Sequence, residues 1–279
     1  MCVCPQHATP QRCGLRLLVA GDQRAESVVT QHWPLFSSQD TYIDNSKDML
    51  NFCSCLSNKL ANTTGAYDVV LIFSLHLSLV HTERTNVVGR NIDLLKSRKK
   101  VDISHLLKLI KGHTHIWRKR YPIIKFIWML PYPIDFHAYN HAQLDIVPTE
   151  WRKISLNKED ETQSNIHYWD HIREILGCWK SILPDVQSFP MHVLFFESKQ
   201  AMLEYSHKNS CLPSNLLVNG VNGTLEMQLK FRDLFEHYFE MSYPEMSSTV
   251  RHLMHGYDEY LRHTNIHRIL FSPTSIFEK

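Results

Sequence analysis

Glycine is scarce in this chain, at 9 of 279 residues, and no apolar run is long enough to cross a bilayer. The longest such runs, residues 69–73 and 123–130, have the length of buried strands. With 43% hydrophobic and 11% aromatic residues, little glycine excludes low-complexity and globally disordered classes and leaves a chain able to build a sizeable core. A dominant charge is missing too, since the formal net charge is only +2. An apolar leader is also missing: the opening MCVCPQHATPQRCG has no long hydrophobic core, so it does not read as a signal peptide. Seven cysteines, an odd number, then read as reduced thiols, with a cytoplasmic or nuclear placement and no membrane. Cys2, Cys4, His7 and Cys13 match no common zinc spacing, and Cys53-Ser54-Cys55 has no second pair, so no metal and no cofactor are assigned.

What is present is an alternation of short apolar strands with longer amphipathic segments, the pattern of a layered α/β sheet. Strands are expected over residues 15–20, 69–73, 123–130 and 193–196, and helices over 24–32, 48–60, 103–117, 166–183 and 224–239. In the 103–117 helix Ile103, Leu106, Leu107 and Ile110 share a face. Residues 131–165 are polar and irregular and read as an insertion or mobile loop. The expected fold is a flavodoxin-like three-layer sandwich with a parallel sheet, its functional loops at the carboxyl ends of the strands. Residues 1–14 read as a flexible N-terminus, 15–242 as the α/β domain, and 243–279 as a helical extension carrying an amphipathic piece at 247–262.

Two loops then stand out. Residues 15–20 run into Gly21-Asp22-Gln23, and residues 216–224, Leu-Leu-Val-Asn-Gly-Val-Asn-Gly-Thr, end an apolar run and open a helix. Together they resemble the first and last motifs of the SGNH/GDSL hydrolase superfamily, G-D-S and D-G-x-H. In that frame the serine is Gln23, the aspartate Asn219 and the histidine Asn222, while His76 in Ser74-Leu75-His76-Leu77 stands for the oxyanion-hole asparagine. A serine hydroxyl attacks only when a histidine removes its proton and a carboxylate orients that histidine. Gln23, Asn222 and Asn219 can do none of this, so no catalytic residue is assigned to the family positions and the chain is expected not to be an enzyme. The resemblance extends to the OSK domain of Oskar, an SGNH-like domain without catalytic residues, and implies an RNA-binding and protein-binding scaffold of the germ plasm. The alternative is an esterase or acyl-transfer enzyme with a rebuilt site around His76, or around Asp135 and His137 in Pro-Tyr-Pro-Ile-Asp-Phe-His.

The charge is unevenly spread. Residues 84–125 hold 12 Lys and Arg against Asp93 and Asp102 alone, so this stretch carries +10 and the rest −8. Cations after a helix suit its dipole, which accounts for Arg118, Lys119 and Arg120. Lys96, Arg98, Lys99 and Lys100, before the helix, have no such reason, and Lys108 and Lys111 fall on its outer face. These nine residues form the candidate RNA interface, with Trp117 and Tyr121 as stacking platforms. The same pattern fits an acidic protein partner or a solvated basic loop.

Overall fold

The computed structural model describes residues 15–21, 38–43, 48–63, 67–87, 89–131, 136, 140, 158–191 and 225–252. Its centre is a five-stranded sheet of β1 (Arg16–Gly21), β2 (Ser38–Ile43), β3 (Val69–Phe73), β6 (Lys125–Met129) and β7 (Ser188–Phe189), in the spatial order β2-β1-β3-β6-β7. All four pairings are parallel. That is the flavodoxin-like order, and it confirms the expected fold. A separate antiparallel hairpin joins β4 (Val80–Val87) to β5 (Arg90–Ser97).

Period-two geometry explains why β3, and β1 and β6 after their opening Arg16 and Lys125, are apolar: a strand at the centre of a parallel sheet buries both faces. Leu18, Ala20, Val70, Ile72, Phe126 and Trp128 face one core, packed under α1 (Met49–Asn62), α3 (Ile103–Arg120) and α4 (Lys158–Ile182). Leu17, Val19, Val69, Leu71, Ile127 and Met129 face the other, against Phe235 and Phe239 of α5 (Leu225–Ser242). Tyr243 and Val250, the latter in the following helix at 244–252, are buried in that second core. The opening of β3 is tied to β1 by Asp68, whose carboxylate accepts from the Arg16 backbone N–H at 2.9 Å and its guanidinium at 2.6 Å. No helix among the described residues is long and apolar enough to cross a membrane.

Several boundaries move. The helix expected over 166–183 begins at Lys158, because its first two turns are polar and invisible to hydrophobic periodicity. Glu159 is exposed in its first turn, where the dipole favours an acid. Residues 158–165 therefore do not belong to an irregular insertion. Elements that were not expected are β2, a polar edge strand, the hairpin, whose Ile92 and Leu94 alternate into the core inside a charged stretch, the short helix at Leu75–Leu79, and β7. The expected helix at 24–32 and strand at 193–196 lie outside the described residues; the fifth strand seen is β7.

Candidate active site

The chain leaves β1 to build β2 on one side of the sheet, then β3, β6 and β7 on the other. The carboxyl ends of β1 and β3 thus flank a topological switch point, where open α/β sheets place their ligands. Gly21 ends β1 there, opposite Phe73. A Cβ on Gly21 would stand 2.5 Å from the Phe73 carbonyl oxygen, so the first loop needs its glycine for close strand packing alone. Ser74 follows β3 and is fully buried, and its hydroxyl donates to the Met49 sulfur at 3.5 Å.

His76 sits two residues on, in the short helix α2 (Leu75–Leu79), and is buried. Its Nδ1 is hydrogen-bonded to the hydroxyl of Tyr168 on α4, and the rings lie nearly parallel with centroids 5.8 Å apart. Phe136 closes this cluster edge-on, its centroid 5.5 Å from that of Tyr168. The hydrogen bond sets the chemistry of the imidazole. If Tyr168 donates, the ring proton is on Nε2, which is then a hydrogen-bond donor. If Nδ1–H donates to the phenol oxygen, Nε2 is the basic nitrogen. Asn140 pins the neighbouring hairpin, accepting from the Leu95 N–H at 2.8 Å and donating to its carbonyl at 3.1 Å.

Gln23, Asp135, His137, Asn219 and Asn222 lie outside the described residues. The nine basic residues are placed, but they are not one free cluster. Lys96 pairs with Glu83 at 2.6 Å across the hairpin, and Arg98 donates to the Val80 carbonyl at 3.2 Å. Lys99, Lys100, Lys108, Lys111, Arg118, Lys119 and Arg120 are exposed. The stacking platforms are corrected: Trp117 and Tyr121 are buried, and Trp117 packs between Phe126 and Trp128 while its indole N–H donates to Ser57 at 2.8 Å. Helical spacing puts residue 117 in line with Ile103, Leu106, Ile110 and Thr114, so the core claims it. Tyr168 was missed. Tyr168 reads in sequence as one more aromatic on an apolar helix face, and its partner is 92 residues away.

No protein-family model and no curated protein sequence matches the chain. Among solved structures it is similar to one from Streptococcus pneumonia described as a candidate platelet activating factor. The identity is 12% over 82% of this chain and 86% of that one, with a TM-score of 0.46.

The expectation that the chain is not an enzyme is corrected. It rested on Gln23, Asn219 and Asn222, family positions outside the described residues. Against it stands the buried His76–Tyr168 pair beside the carboxyl end of β3. Missing triad side chains exclude one mechanism, not catalysis as such.

Proposed function

We propose that the chain is an esterase or acyl-transfer enzyme whose site is built around His76 at the carboxyl edge of β1 and β3. The observation that carries this reading is the packing of Phe136 on Tyr168, the residue that holds His76. Phe136 lies in sequence between Asp135 and His137. His76 serves as oxyanion donor or base through Nε2, and Tyr168 orients it. Asp135 and His137 form the accompanying acid–base pair, in which a carboxylate orients an imidazole that activates the attacking hydroxyl or water. Exclusion of water around His76 strengthens its interaction with a developing charge.

The test is saturable hydrolysis of a short acyl ester by the purified chain. His76→Ala and His137→Ala should each lower kcat/KM by about a hundredfold or more, the loss typical of an oxyanion donor or a general base. Circular dichroism confirms that the variants are folded. An absence of saturable turnover, or turnover indifferent to both substitutions, rejects the reading.

A second reading is favoured by one observation. Lys108, Lys111, His115 and Lys119 are all exposed and follow each other along α3 at spacings of three, four and four, which places them on one outward face. We propose that this face, with Lys99 and Lys100 ahead of it, binds single-stranded RNA through its phosphates. Affinity should fall with salt at a log–log slope of about −0.7 per phosphate neutralised. Reversing Lys99, Lys100, Lys108 and Lys111 to Glu should abolish it, and unchanged binding refutes the reading.

A further inference from the structure

A cavity of about 610 Å³ opens at the opposite edge of the sheet, where α3 ends and β6 begins. We propose that it is a binding site for a small organic anion: a carboxylate or phosphate group carried on a flat apolar body. The volume lies within the range of about 300–1,000 Å³ typical of small-molecule sites. Its walls divide by chemistry. Ile124, Phe126 and Tyr243 supply an apolar side, and all three are largely buried. His115, Arg118 and Lys119 supply donors on the other.

One acid, Asp185, lines the same cavity. Arg118 donates to the backbone carbonyl of Asp185 at 2.8 Å, a neutral acceptor that fixes the guanidinium without neutralising it. Among the described residues no carboxylate pairs with Arg118 or Lys119. Lys125 differs, being paired with Glu245 at 3.1 Å, and its ammonium lies 5.3 Å from the centroid of the Tyr243 ring. Lys125 therefore stiffens the apolar wall, and Arg118 and Lys119 meet the anion. Burial holds the Tyr243 phenol neutral, so it presents a ring and an O–H donor, not a competing negative charge.

The helix dipole gives Arg118 and Lys119 a reason to be basic, but it does not explain the cavity or its apolar wall. The site stands apart from the His76 cluster, since it lies at the amino ends of β6 and β7 and shares no lining residue with it.

The experiment is calorimetric or NMR titration of the full chain with phenyl phosphate, benzoate and inorganic phosphate. Phenyl phosphate or benzoate should saturate one site at least about tenfold more tightly than inorganic phosphate, because only they use the apolar wall. The tighter of the two identifies the head group. Arg118→Gln should weaken that ligand by about tenfold, the scale of a lost charge-assisted contact. Lys119→Gln, at an exposed position outside the packing, checks the result where Arg118→Gln disturbs the Asp185 loop. The inference is overturned if neither aromatic anion binds more tightly than inorganic phosphate, or if both substitutions leave its affinity unchanged.

Discussion

Gly21→Ala is the most direct test of the architecture at the switch point. The added Cβ would meet the Phe73 carbonyl oxygen at 2.5 Å, its carbon at 2.8 Å and its Cβ at 2.8 Å. Unstrained contacts between carbons lie at about 3.5–4.0 Å, so β1 and β3 must separate by roughly 1 Å at their ends. Overpacking typically costs about 1–3 kcal/mol, and the upper end applies because the atoms met are backbone in two central strands. A loss of about 3 kcal/mol corresponds to a fall in Tm of about 6–12 °C for a chain of this size, readable by circular dichroism. Gly112 and Gly177 provide the internal control. A Cβ at either would meet nothing within 4 Å, and both stand inside helices, α3 and α4. Gly112→Ala and Gly177→Ala should therefore each stabilise by about 0.5–1 kcal/mol. The reasoning is refuted if Gly21→Ala stays within about 0.5 kcal/mol of the parent, the range of an indifferent surface change.

Asp68→Ala removes a bidentate ion pair and a bond to the Arg16 backbone, with both side chains between a fifth and a third exposed. It should cost about 2 kcal/mol, read as a lower urea midpoint at an unchanged m value; an unmoved midpoint rejects it. Cys53 is buried and its thiol pushed up to about 12 by desolvation, whereas Cys55 is exposed. Iodoacetamide should label Cys55 in the native chain and Cys53 only after unfolding, as mass spectrometry of the peptides will show; prompt native labelling of Cys53 contradicts the packing. Burial beside Trp117 lowers the pKa of His113 below the ordinary 6.5. The unfolded chain then takes up this proton first as pH falls, so the contribution is present above 6.5 and is lost as pH drops towards the folded pKa. His113→Leu should flatten the decline in urea midpoint between about pH 7 and 5, and an equal slope in both proteins refutes this.

The layered fold was legible because β1, β3 and β6 bury both faces and so carry unbroken apolar runs that mark themselves. The inward face of α3 was legible for the same reason, at helical spacing. The helical start at Lys158 and the edge strand β2 were not, since neither offers an apolar period to read. The candidate site was half legible. His76 was reached through its place after an apolar strand, but nothing in sequence joins it to Tyr168. The basic stretch misled in a specific way. Glu83 lies one residue before the stretch, and only the pairing of β4 with β5 brings it to Lys96. Arg98 likewise is turned towards a backbone carbonyl that a charge count cannot see.

By itself, then, the sequence determined the burial pattern, and with it the parallel sheet and the helices that cover both its faces. Burial follows from side-chain chemistry and local period, which are properties of neighbours along the chain. Tertiary structure alone decided which charges are cancelled, that Trp117 is core and not a stacking platform, and that Phe136, Tyr168 and His76 meet. Those outcomes depend on groups tens of residues apart coming within a few ångströms, and sequence order does not encode that distance. Gly21 shows the division in one residue: its loop could be read as family grammar, but the carbonyl of Phe73 is what requires it to be glycine.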